Sequence, residues 1–121
     1  MTQEELQQFI ALNCKFEMDC ERVCKEMTRF NGEFSEVWKF YLDDDTVFCE
    51  GGYSCMGDWC EISESLPSEL LTYSKEELTE YVDNLIKKRE EEKQRELERK
   101  EKAKIERDLK EYQRLKEKLG L

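Results

Sequence analysis

From Lys75 to Leu119 the chain contains neither proline nor glycine, and between Lys87 and Lys104 only Leu97 and Ala103 are apolar. The stretch from Lys87 to Lys104 has no face to bury, so it cannot belong to a globular core, whereas Leu78, Tyr81, Val82, Leu85 and Ile86 before it are expected to dock on the preceding part of the chain. The whole segment predicts one long, solvated helix, extending roughly 65–70 Å at 1.5 Å per residue if continuous. Ser74-Lys75-Glu76-Glu77 opens it as a capping box, in which serine and the third-position glutamate satisfy otherwise unpaired amides. The acid-before-base pairs Glu91–Arg95, Glu96–Lys100, Glu98–Lys102 and Glu106–Lys110 each add about 0.2–0.5 kcal/mol. Near the end, Ile105, Leu109, Tyr112, Leu115 and Leu119 restore an apolar stripe, a short oligomerisation seam in which Asp108 interrupts the heptad.

What precedes this helix has the opposite character. Residues 1–86 carry 6 Lys+Arg against 20 Asp+Glu, a net −14, whereas residues 87–121 carry 14 against 10, a net +4. All six phenylalanines, both tryptophans and all six cysteines lie in the first part. The division is therefore a compact acidic head over 1–74 and a long charged helix over 75–121.

Within the head, Leu6, Phe9, Ile10, Phe16, Cys20, Val23, Cys24, Met27 and Phe30 recur at helical spacing. They predict a helix from about Thr2 to Arg29, with a break near Asn13-Cys14 left open and a left-handed stop at Asn31-Gly32. Its stripe is expected to lie on the β-forming segments that follow: Val37–Leu42, Thr46–Cys49 and Trp59–Ile62. Trp38, Phe40 and Leu42 alternate with Val37, Lys39 and Tyr41, as a strand with one buried face requires. Asp43-Asp44-Asp45 reads as a turn, and Gly51-Gly52 and Met56-Gly57-Asp58 punctuate the way to the third strand. The fold class is α+β: an N-terminal helix packed on a small antiparallel three-stranded sheet, then the charged helix. Leu66, Leu70 and Leu71, around the only proline, Pro67, are expected to seal the sheet's end.

Chemistry is constrained mainly by what is missing. There is no histidine, which removes the commonest general base and metal ligand. The cysteines are spaced Cys14-x5-Cys20-x3-Cys24 and Cys49-x5-Cys55-x4-Cys60, without a Cys-x-x-Cys knuckle. Cys20 and Cys24 fall on the apolar stripe, where a thiol behaves as a small hydrophobe. If zinc were held, Cys49, Cys55 and Cys60 would contribute. The preferred reading is no metal and no cofactor. A net charge of −14 over residues 1–86 raises thiol pKa values, and no phosphate loop, dinucleotide fingerprint or serine elbow is present, so no enzyme activity is expected. Lys87-Lys88-Arg89 is cancelled by Glu90-Glu91-Glu92, and a net charge of −10 disfavours direct contact with nucleic acid or an anionic membrane. No apolar run is long enough to span a bilayer. The start Met1-Thr2-Gln3-Glu4-Glu5 lacks a secretory pattern, which predicts a cytoplasmic protein with reduced thiols.

A binding role follows more naturally. One helix covers one face of a three-stranded sheet, so aromatic residues on the other face meet either water, a partner or the start of the second helix. Trp38, Tyr41, Tyr53 and Trp59 are the candidate anchors, with Asp43, Asp44, Asp45, Glu50 and Asp58 as candidate acidic contacts. Carboxylates also at Glu33, Glu36, Glu61 and Glu64 leave open a mimic of nucleic acid that occupies a basic groove on another protein.

The Ser65-Leu66-Pro67-Ser68-Glu69-Leu70-Leu71 segment and the terminal Glu111-Tyr112-Gln113-Arg114-Leu115-Lys116, set between an acidic head and a Glu/Lys/Arg helix, resemble small accessory proteins of phages and prophages of Gram-positive bacteria. The resemblance spans residues 35–121. It implies no catalytic residues and points to a host-directed inhibitor, such as an anti-CRISPR or another anti-defence protein, acting in the host cytoplasm. The alternative is a structural or assembly protein that forms a homodimer or hetero-oligomer through its C-terminal helix.

Overall fold

The computed structural model describes residues 1–120. It is α+β, as the sequence predicts: helix α1 (Gln3–Met27), strands β1 (Val37–Asp43), β2 (Thr46–Cys55) and β3 (Asp58–Pro67), then helix α2 (Lys75–Lys118). The strands form one antiparallel sheet in the order β1-β2-β3. Short 3-10 turns at Gly32–Glu36 and Ser68–Thr72 join the sheet to the helices.

Helix α1 starts on a capping box that the sequence analysis did not single out. The Glu5 amide donates to Thr2 Oγ1 at 3.1 Å, and the Thr2 amide donates to Glu5 Oε1 at 3.3 Å. The helix is continuous through Asn13-Cys14. Its end differs from expectation. Asn31 is extended (φ −139°) and takes no left-handed turn; its side chain instead accepts from the Glu33 amide and opens the 3-10 turn. The closing contact of α1 comes from Thr28, whose hydroxyl donates to the Cys24 carbonyl at 2.8 Å.

The apolar stripe of α1 is only half used. Cys20, Val23, Cys24 and Met27 are buried, whereas residues 1–15 are exposed throughout, Phe9, Ile10 and Leu12 included. The expectation that the whole stripe rests on the sheet fails because α1 meets β1 and the two 3-10 turns only through its second half. The core is completed by Phe34, Val47, Cys49, Ile62, Leu66 and Leu70, with Leu78 and Val82 from the first turns of α2. Leu66 and Leu70 close the sheet's end, and Ser68 donates its amide to the Asp45 carbonyl at 2.8 Å, tying that corner to the first hairpin.

Both hairpins turn on two residues. Asp44 (φ 58°) takes the left-handed conformation between Asp43 and Thr46. Met56 and Gly57 (φ 50° and 84°) form the turn between the paired residues Cys55 and Asp58, matching the twist of the strands. Gly51-Gly52 is not a turn, as the sequence suggests, but lies inside β2, where each glycine makes room for something else. The Glu36–Val37 backbone crosses directly over Gly51, and the Trp59 indole lies across Gly52.

The chain divides into two compact units, Met1–Asn84 and Leu85–Leu121. The first unit therefore takes in the opening turns of α2. Ser74 caps them as predicted: the Glu77 amide donates to Ser74 Oγ at 3.2 Å, and the Ser74 amide to Glu77 Oε1 at 3.1 Å. Arg29 bridges Glu26 and Asp83, and Tyr73 meets Tyr81 edge-on with ring centroids 6.1 Å apart.

The second unit is helix with every side chain from Glu90 to Gly120 exposed. Of the four acid-before-base pairs, Glu96–Lys100 closes within 4 Å among the described residues, at 3.7 Å, with Arg99–Glu96 and Arg114–Glu111 at i,i+3. Pairs this exposed contribute little individually, so helix propensity carries more of the segment.

Candidate binding face

Alternation along the middle strand decides what each face of the sheet carries. Val47, Cys49 and Gly51 point toward the helices, opposite Leu66, Glu64 and Ile62 on β3. The other face takes Phe48, Glu50 and Gly52, opposite Ser65, Ser63 and Glu61 on β3, with Tyr41 and Lys39 facing Phe48 and Glu50 from β1. Within the first unit no helix covers this second face: Tyr41, Phe48, Trp38 and Trp59 are 42%, 41%, 59% and 58% exposed.

Trp38 reaches that face through an irregularity. Val37 pairs with Gly51 and Lys39 with Glu50, so β1 holds one more residue than β2 at this point, and Trp38 is the extra one. Its indole lies 5.9 Å from that of Trp59, the planes inclined by 56°. Trp59 in turn lies across Gly52, where a side chain's first carbon would come within 2.7 Å of its ring. The absence of a side chain at Gly52 is thus what lets the two indoles meet over the middle strand. Below them is a trough of about 570 Å³ lined by Trp38, Lys39, Glu50, Gly51, Trp59 and Glu61, continued by Ile62 and Ser63. Lys39 leans over the Tyr41 ring, 5.0 Å from its centroid; a side-chain hydrogen bond with Tyr41, then the Tyr41 charge, holds its ammonium above the ordinary lysine value.

The nine candidate contact residues do not gather at one place. Trp38, Tyr41, Glu50 and Trp59 share the open face. Asp44 and Asp45 form the β1–β2 turn and Asp43 ends β1 beside it, while Asp58 lies in the β2–β3 hairpin at the opposite end of the sheet. Tyr53 belongs to the other face, where it borders a hollow of about 260 Å³ with Glu33 and Glu36. Lys39 and Phe48 were missed by the sequence analysis; the phase of Val47 and Cys49, both apolar, is the signal that assigns Phe48 to the opposite side. The oligomerisation candidates Ile105, Leu109, Tyr112, Leu115 and Leu119 are all exposed, between 46% and 70%.

The cysteines separate by burial. Cys20, Cys24 and Cys49 are in the core, and the Cys24 and Cys49 sulfurs are 4.0 Å apart. Burial first, then the neighbouring Cys49, pushes the Cys20 thiol up to about 12; the hydrogen bond with Cys49, then burial, raises Cys24 as well. Such thiols are protonated and unreactive at neutral pH. Cys14 and Cys55 are exposed, and Cys60 is half-buried. Cys49 and Cys55 therefore differ fully in exposure, and among the described residues no three His, Cys, Asp or Glu side chains are placed to hold a metal ion. Nor is any helix among the described residues long and apolar enough to cross a membrane. Comparison with protein-family models, with curated proteins and with solved structures finds no match to this chain.

Proposed function

We propose that this chain is a non-enzymatic binding protein that occupies the surface of a host protein or complex, in the manner of a phage accessory protein directed at a host defence system such as CRISPR-Cas. The observation that carries the reading is the uncovered sheet face: two indoles, each more than half exposed, within residues 1–86, whose net charge is −14. Large aromatic side chains left in water cost solvation that a monomer recovers only by covering them, and such residues supply most of the energy at protein interfaces. The acidic charge around them favours a basic partner and speeds encounter at low salt. Affinity capture from a Gram-positive host lysate tests this. A host protein retained at low salt by the native chain, and lost on Trp38→Ala/Trp59→Ala, supports the reading; recovery of nothing refutes it.

A second reading rests on a separate observation, the exposed stripe Ile105–Leu119 near the end of α2. An assembly role through that stripe requires an oligomer in light scattering that dissociates on Leu109→Asp or Leu115→Asp.

A further inference from the structure

From the trough on the open face we infer the chemistry of what it receives: an arginine side chain presented by a segment of the partner protein, its guanidinium stacked on the Trp38–Trp59 pair and bridged to Glu50 and Glu61. The inference deepens the proposed function and rests on it for the identity of the partner, but not for the chemistry of the site.

Three features converge. First, indoles present the most favourable aromatic surface to a cation, and here two of them stand together, each more than half exposed. Second, two carboxylates share their face. Glu61 lies directly across from Gly52, the residue that the Trp59 ring crosses, and Glu50 occupies the next position along β2 on the same face, opposite Lys39. Among the described residues neither carboxylate closes an ion pair within 4 Å. Third, the nearest cation, Lys39, is drawn onto Tyr41 and leaves the indoles open. The trough's lining charge is one lysine against two glutamates, complementary to a single added positive charge.

Arginine fits this arrangement better than lysine. A guanidinium is planar, so it stacks on an indole while its edge N–H groups still donate to a carboxylate; an ammonium is a strongly hydrated point charge and cannot do both. The volume, about 570 Å³, exceeds one guanidinium and accommodates the flanking backbone of an extended segment. An anion or a nucleic-acid strand is disfavoured, because it would bring phosphates onto Glu50 and Glu61.

The experiment uses the full chain labelled with nitrogen-15 and follows the two indole N–H signals by NMR. The probes are an acetylated, amidated (Arg-Gly)4 peptide and its lysine and citrulline counterparts. The arginine peptide is expected to move both indole signals to saturation. The lysine peptide should bind about threefold more weakly, and the citrulline peptide, isosteric but uncharged, should leave both signals in place. Glu50→Gln/Glu61→Gln, at two exposed positions that do not support the fold, should weaken arginine binding about fivefold with an unchanged thermal midpoint. Unmoved indole signals at millimolar arginine peptide overturn the inference. So does an equal response to all three peptides, or undiminished affinity in the glutamine variant. A host protein captured through the tryptophans while the arginine peptide fails would leave the binding function standing and remove this inference alone. Peptide binding without any captured host protein would do the reverse.

Discussion

Gly51 and Gly52 sit inside a strand, and substituting each by alanine measures how tightly the structure is built around them. At Gly51 a methyl group would overlap the Glu36 carbonyl oxygen and approach the Val37 Cα to 2.7 Å. Both are backbone atoms, so relief requires moving the 3-10 turn off the sheet. Overpacking of that kind costs about 3 kcal/mol, near the top of the usual range. Alanine recovers about 0.5 kcal/mol by restricting the unfolded chain, which leaves a net loss of about 2.5 kcal/mol. For a unit of this size that lowers the thermal midpoint by about 10–20 °C. At Gly52 the methyl meets the Trp59 ring at 2.7 Å and the Cys60 carbonyl at 2.6 Å. The ring can swing into water and the carbonyl cannot, so the expected loss is intermediate, about 1–2 kcal/mol. Gly32 has nothing within 4 Å of the added carbon and serves as the control, within about 0.5 kcal/mol of the native chain. Urea unfolding followed by tryptophan fluorescence is the assay, because both tryptophans report on the first unit alone. If Gly51→Ala proves as stable as Gly32→Ala, the argument for a close backbone crossing at β2 fails.

Three further outcomes are expected. Cys14 and Cys55 should react quickly with a thiol reagent in the folded protein, while Cys20, Cys24 and Cys49 wait for unfolding. The Cys20 thiol rises from 9.0 to about 12 on folding, so the folded state binds more protons between those values. Its contribution to stability is complete below pH 9 and is lost as pH climbs toward 12; unfolding midpoints should fall less steeply over that window in Cys20→Ala, and an unaltered slope would contradict the assignment. Finally, Leu70→Ala, at a fully buried side chain, should cost about 3 kcal/mol, whereas Phe9→Ala on the exposed half of α1 should stay within about 0.5 kcal/mol, both read by urea denaturation.

The elements themselves were largely legible, because each rests on local signals. The Ser74 capping box and the unbroken polar run announce α2, and the 3.6-residue recurrence from Leu6 to Met27 announces α1. Three things were not legible. Periodicity shows that Phe9 and Val23 share a stripe but not that the core ends between them, since that depends on where the sheet lies in space. The pair Gly51-Gly52 reads as a chain break because glycine's usual local signature is a turn; its role here is set by Glu36 and Trp59, fifteen residues before and seven after. For the candidate site, aromatic and acidic residue types pointed to Trp38, Tyr41, Glu50 and Trp59, but strand alternation assigned Trp38 to the company of Phe40 and Leu42. The extra residue in β1 breaks that phase, and no residue type announces it.

The same extra residue means that the character of the open face depends on a count as much as on a composition. Substitutions can change how greasy or how charged the surface is, but not which side of the sheet Trp38 occupies. Loss of a single codon at Val37 would set Trp38 opposite Gly51 and aim its indole at the helices, leaving Trp59 alone in water. The double-indole surface is therefore fragile to length change in β1, a fragility that deletion scanning along the strand would expose.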